Sequence, residues 1–242
     1  MNEALLIGLI ALVAFAYALV GHGGASGYIA LLTLSGFSIA VVRPSALVLN
    51  ICVSALAFLQ FARAGHFQWK LFWPFAVLAV PCAWLGSQID LEPLMYQRIL
   101  ALCLLVAVAR LFGVFGSGEG GRREMPVALA IGIGAVLGLL SGAIGIGGGI
   151  LLSPLLLLFR WADAKTTAAT SALFILVNSL AGLAGLWSAA VAFDPRMLTW
   201  VAMALVGGLA GSWIGARRVP EPRLRQVLGV VLVFASVKLF FP

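Results

Sequence analysis

Two glycine clusters interrupt otherwise apolar stretches of this chain. Gly21-His22-Gly23-Gly24 lies near the start, and Gly145-Ile146-Gly147-Gly148-Gly149 lies in the second half. Each glycine disfavours helix by about 1 kcal/mol relative to alanine, so the run Gly147 to Gly149 breaks a regular helix. A helix that restarts after such a break presents free backbone N–H groups and the positive end of its dipole. An anion is the natural ligand for that arrangement. The competing use of the glycines is close packing of membrane helices. Two clusters at matching places in two halves favour the site.

Small polar residues follow each cluster: Ser45 and Asn50 after the first, and Thr170, Ser171 and Asn178 after the second. Hydroxyls and amides buried in an apolar setting must find partners. A neighbouring helix could supply them, or these residues could complete the coordination of an oxyanion. The matching triads Ser45-Ala46-Leu47 and Ser171-Ala172-Leu173 favour coordination. His22 sits inside the first cluster where the second has Ile146. It could donate to an anion, carry a proton, or bond to backbone that the break exposes.

What is missing narrows the chemistry. The eight acids, Glu3, Asp90, Glu92, Glu119, Glu124, Asp163, Asp194 and Glu221, sit in loops or at segment ends. Cation pumps and carboxylate proton relays use intramembrane acids. There is no P-loop, HExxH, GxSxG or metal-ligand cluster, and no cofactor is expected. Cys52, Cys82 and Cys103 lie in apolar runs without CxxC spacing and read as packing residues.

The elements that must position these residues are membrane helices. The chain has 242 residues, 63% hydrophobic and 10% charged, against about 45–50% apolar and about 25% charged in soluble domains. The net charge of +7 comes from basic residues between apolar segments and not from a nucleic-acid surface. Ten apolar segments are expected, roughly 4–20, 28–42, 45–61, 71–89, 99–114, 127–140, 150–159, 167–186, 198–214 and 227–241. The first lacks a basic n-region and reads as part of the fold and not as a cleaved signal. The second and seventh, each following a glycine cluster, are short for a span of about 20 residues. Each is either a half-helix that turns back or a short span.

The halves resemble one another. Leu85-Gly86-Ser87-Gln88-Ile89 matches Ala210-Gly211-Ser212-Trp213-Ile214, and Arg110-Leu111-Phe112 matches Lys238-Leu239-Phe240, in the same order as the serine triads. Such recurrence indicates duplication. The expected fold is therefore all-α and polytopic. It has two inverted-topology repeats of five apolar segments, with broken or re-entrant helices at the glycine clusters. Residues 1–114 form the first membrane repeat, 115–125 a cytoplasmic linker and 126–242 the second repeat. An odd number of segments per repeat forces the inversion. With both termini outside the cytoplasm, eleven of the fifteen Lys and Arg residues face inward.

These features together resemble the sulfite exporter TauE/SafE family of bacterial membrane transporters. The residues that carry the resemblance are Gly145-Ile146-Gly147-Gly148-Gly149, the cluster Gly21 to Gly24, and Thr170-Ser171-Ala172. The first repeat departs from the pattern, with His22 inside its cluster and Ala25 where a further glycine would stand. The resemblance implies export of sulfite, an organosulfonate or another small sulfur-containing anion across the inner membrane. The residues fit such a transporter, embedded in the lipid bilayer, with a small anionic substrate and proton coupling through His22 or through the substrate itself. A passive anion channel, a polytopic enzyme acting on a lipid phosphate, and an assembly subunit remain as alternatives.

Overall fold

The computed structural model describes residues 2–89, 123–186 and 193–220, and within 222–233 the positions 222–224, 226, 227, 229, 230 and 233. Every regular element among them is helical. The first four helices are α1 Glu3–Leu19, α2 Ala25–Leu34, α3 Ile39–Arg63 and α4 Trp69–Ser87. The next four are α5 Val127–Ile144, α6 Gly149–Leu158, α7 Ala164–Leu186 and α8 Met197–Arg217. Five of them, α3, α4, α5, α7 and α8, are long and apolar enough to cross a membrane. The protein is thus an all-α bundle with multiple membrane spans. The expected segment 99–114, the linker glycines, Cys103 and the 110–112 and 238–240 match lie outside the described residues.

One boundary differs from the sequence reading. The break between the second and third segments was expected at Arg43-Pro44, but α2 ends at Leu34 and α3 starts at Ile39, running through Pro44. Pro44 is the sixth residue of α3, beyond the first turn, so it cannot supply the i+4 N–H to the Ala40 carbonyl, and the helix runs on through it all the same. Gly36, at φ 84°, makes the actual turn.

Two stripes of glycine set the helix pairing. Gly134, Gly138 and Gly142 of α5 lie against the backbone of Phe75, Ala79 and Ala83 of α4. Gly207, Gly211 and Gly215 of α8 lie in the same way against Ala11, Phe15 and Leu19 of α1. A Cβ at any of these six glycines would meet a facing carbonyl oxygen. Small residues spaced by four let the backbones approach, which is how helices associate where no water drives them together. Both registers rise in step, so α4 runs parallel to α5 and α1 parallel to α8.

The remaining directions follow from the ends. Arg43, near the start of α3, donates to the carbonyls of Ser87 and Gly142 at the ends of α4 and α5. Gly185, near the end of α7, lies against Trp84 and Ser87. Phe37, just before α3, meets Trp200 of α8 edge-on at 5.2 Å. Helices α1, α3 and α8 therefore run one way and α4, α5 and α7 the other. Helix α3 packs on α7 at the centre, and α4 on α7 mirrors α8 on α3. Exchanging α1–α4 with α5–α8 preserves these pairings and reverses every direction.

The charges separate along this axis. Arg63, Lys70, Arg123, Arg160, Lys165, Arg217 and Arg218 stand at one end of the bundle, and Arg43 and Arg196 stand toward the other. Arg196 pairs with Asp194 at 2.8 Å, and its guanidinium holds that half-buried carboxyl below the usual carboxylate range.

The stripes make a sharp prediction. Gly138→Val, facing the Ala79 carbonyl, will prevent accumulation of a monodisperse protein in detergent. Gly132→Ala on the same helix, which meets nothing within 4 Å, will not. Size-exclusion profiles of the two fluorescently tagged variants compare them directly.

Candidate functional site

Helices α2 and α6 have ten residues each, about 15 Å, or half the hydrocarbon core. Each returns toward the end where its preceding helix began, so α1–α2 and α5–α6 are hairpins with their tips inside the bundle. The N-caps at the tips are Gly24 (φ 94°, ψ 10°) and Gly148 (φ 70°, ψ −11°), both left-handed. L-residues with a side chain are strained there, which accounts for glycine at both positions. A left-handed residue followed by a right-handed helix turns successive N–H groups toward a common point, an anion-binding concavity.

The tips meet at mid-length of the central pair. Asn50, the twelfth residue of α3, joins them. Its Oδ1 accepts from the N–H of Ala25, the first residue of α2, at 3.2 Å. Its Nδ2 donates to the carbonyl of Ile146 at 3.3 Å and to Ser179 Oγ of α7 at 2.8 Å. The partners fix the orientation of the amide, since N–H and C=O groups stand on opposite sides of it. Gly23 and Gly147 flank this side chain. A Cβ on Gly23 would overlap Asn50 Oδ1, and one on Gly147 would crowd Asn50 Nδ2 and, at 2.7 Å, Ser179 Oγ.

His22 makes a second bridge. Its Nε2 lies 3.2 Å from the carbonyl of Gly149 and 3.0 Å from Ser153 Oγ. A carbonyl only accepts, so Nε2 carries the proton and donates. Ser153 then donates to Ser171 Oγ of α7 at 2.7 Å. His22 Nδ1 is buried and has no partner among the described residues.

Of the expected site residues, the structure brings together His22, Gly23, Gly24, Asn50, Ile146, Gly147, Gly148, Gly149 and Ser171. Gly21 packs on the backbone of Ala168, and Gly145 lies 3.0 Å from Arg43 Cγ. Ser45 and Thr170 are buried with hydroxyls unpartnered among the described residues. Asn178 donates only to the carbonyl of Phe174 in its own helix, at 2.9 Å. Ser153 and Ser179 were missed. Ser153 follows Gly149 by four residues and so shares its face of α6, a signal the sequence did carry. Ser179, one residue beyond Asn178, faces Asn50 in its place.

A cavity lies between the tips, lined by Tyr17, His22, Ser26 and Asn50 on one side and by Ile146, Ile150 and Ile175 on the other. It offers about 10 Å³, the room of about one water. The tips are closed on each other. A larger cavity of about 240 Å³, between Arg123 and Leu158–Arg160, lies at the basic end and away from them. Among the described residues, no cluster of His, Cys, Asp or Glu could hold a metal ion.

Paired half-length helices with glycine N-caps inside a bundle of opposed halves are an arrangement found in membrane transporters built around broken helices. Comparison with known proteins identifies which. The model of the family described as sulfite exporter TauE/SafE matches residues 5–239, and the chain belongs to that family. It is 37% identical over 241 residues to a probable membrane transporter protein, y4hK, of Sinorhizobium fredii, covering 95% of this chain and 94% of that protein. No solved structure matches it. The protein is a multi-pass membrane transporter.

Asn50→Ala will leave the Ala25 N–H, the Ile146 carbonyl and Ser179 Oγ short of partners, a loss on the order of 2–3 kcal/mol. Asn178→Ala removes one intrahelical bond and will cost far less. Thermal denaturation of both variants in detergent measures the difference, and equal melting temperatures would contradict the bridging role of Asn50.

Proposed function

We propose that this protein is a secondary transporter of the bacterial inner membrane that exports a small sulfur-containing anion, sulfite or an organosulfonate, by alternating access. The observation that carries the reading is the junction at Asn50 and His22, where two hairpin tips from oppositely directed helix sets meet at mid-depth. The substrate shell consists of N–H groups and side chains from Gly21 to Gly24 and Gly145 to Gly149. Ser45, Asn50, Thr170, Ser171 and Asn178 complete it. Rocking of one helix set against the other opens the tips to each side in turn. A cavity closed to about one water supports a carrier over an open channel. Saturable, counter-transportable flux of sulfur oxyanions into proteoliposomes tests the reading. Flux that rises linearly with concentration would make the protein a channel, and no flux for any anion would sink the proposal.

The architecture behind it is two inverted repeats of five segments, 1–114 and 126–242, joined by a linker at 115–125. The reversed directions of α5–α8 relative to α1–α4 support this reading. The end that gathers Arg63, Lys70, Arg123 and Arg217 is cytoplasmic by the positive-inside rule, which puts both termini outside. With Cys52, Cys82 and Cys103 replaced by alanine, Ser38→Cys will react with a membrane-impermeant thiol reagent on intact cells and Lys70→Cys will not. The reverse pattern inverts the orientation.

Proton coupling needs no buried carboxylate. The substrate itself carries the proton, since a weak-acid anion such as sulfite changes charge near neutral pH. His22→Gln keeps a donor for the Gly149 carbonyl but cannot titrate. The variant will retain the pH dependence of sulfite flux, and a permanently ionised sulfonate will show little. Flattening of the sulfite response in His22→Gln would assign the proton to the histidine.

A further inference from the structure

We infer that the two hairpin tips are unequal: a single anion is held at the start of α6, and the start of α2 is filled by the protein's own Asn50. The inference rests on the transporter reading above and assigns its substrate to one tip. At α2, Asn50 Oδ1 takes the place of an anion oxygen on the Ala25 N–H, locked there by its two Nδ2 bonds. A neutral amide oxygen already serves the donor. At α6 nothing does so. Among the described residues, the N–H groups of Gly147, Gly148, Gly149 and Ile150 have no acceptor, although all four residues are buried. Four adjacent donors without an acceptor, in a setting without water, call for a ligand.

A side chain points the same way. Ser141 is 1% exposed and its hydroxyl has no partner, yet Oγ lies 3.3 Å from where a Cβ on Gly148 would be. Its position is fixed, because its carbonyl accepts from the N–H groups of Gly145 at 2.9 Å and Ile146 at 3.3 Å. Tyr17 holds the corresponding place in the first half, its carbonyl accepting from His22 at 2.9 Å. The Tyr17 hydroxyl, however, is already bonded to Ser26 Oγ at 2.9 Å. At the first tip the Ala25 N–H and the Tyr17 hydroxyl are engaged, and among the described residues the N–H groups of Gly23 and Gly24 have no acceptor; at the second tip the Gly149 N–H, which corresponds to that of Ala25, and the Ser141 hydroxyl are open as well. Ser141 is a substrate-binding residue, donating its O–H to an anion oxygen beside the N–H groups of Gly148, Gly149 and Ile150. One group argues for the other tip: Tyr28 Oη is buried and unpartnered beside Gly24, whose Cβ would stand 3.0 Å from it.

The experiment sets these two hydroxyls against each other. Sulfite and methanesulfonate are titrated calorimetrically into purified protein, wild type, Ser141→Ala and Tyr28→Phe. The expected result is one anion per chain, a Kd about tenfold higher in Ser141→Ala, as loss of a hydrogen bond to a charged group gives, and a Kd within about twofold of wild type in Tyr28→Phe. Should Ser141→Ala not accumulate, Ser141→Cys keeps the volume with a weak donor and takes its place. Two anions per chain, a loss confined to Tyr28→Phe, or equal losses in both variants would overturn the inequality while leaving the transporter reading intact. No binding by the wild-type protein would overturn both.

Discussion

A helix broken inside a bilayer leaves backbone N–H and C=O groups where water cannot reach them, and each must be met by protein or ligand. The arrangement around the tips follows from that requirement. Asn50 serves a donor at one break and an acceptor at the other. His22 leaves its own break to serve the Gly149 carbonyl in the other. Gly23 and Gly147 are bare so that the Asn50 amide can pass between them. Neither break is satisfied within its own half. Between the flanking glycine-lined pairs, the two halves are held together by the same polar groups that the breaks expose, so at the centre the site and the interface between halves are one structure.

That identity bears on movement. A junction of hydrogen bonds around a cavity the size of a water is a closed arrangement. In the alternating-access reading proposed above, opening it to either end would exchange bonds across the junction and leave each half's internal packing alone. The central pair α3 and α7 carries the junction on opposing helices, with Asn50 facing Ser179. The outer pairs, α4 with α5 and α1 with α8, are close-packed and glycine-lined. The soft, exchangeable contacts sit in the middle and the close-packed ones at the flanks, which suits rocking about the flanking pairs.

Much of this was legible in the sequence. The glycine clusters marked both breaks, and the serine triads pointed to the duplication proposed above. The scatter of arginines agrees with the charge separation along the bundle. What was not legible depended on direction and depth. Asn178 stood out in the sequence as a candidate site residue, but one step around α7 turns a side chain by about 100°, and Ser179 makes the contact to Asn50. The bounds 28–42 and 45–61 put a boundary at Arg43-Pro44, yet α3 runs through Pro44, about one and a half turns in, and the turn lies at Gly36. The stripe Gly134, Gly138, Gly142 was hidden in a segment rich in glycine throughout, and only its facing backbone separates it from Gly132 on the same helix.

Both glycine stripes belong to helices of the second half, α5 and α8, and both receive helices of the first half, α4 and α1. During synthesis the first half emerges earlier, and its α1 and α4 are then without the surfaces that fit them. Helix α4 gains its partner when α5 enters the membrane, but α1 waits until the chain has been made as far as Arg217. For most of translation the first helix must be kept in the bilayer by lipid or by the insertion machinery, with its tip, His22 included, not yet matched. Chain order thus makes the last long described helix the one that captures the first.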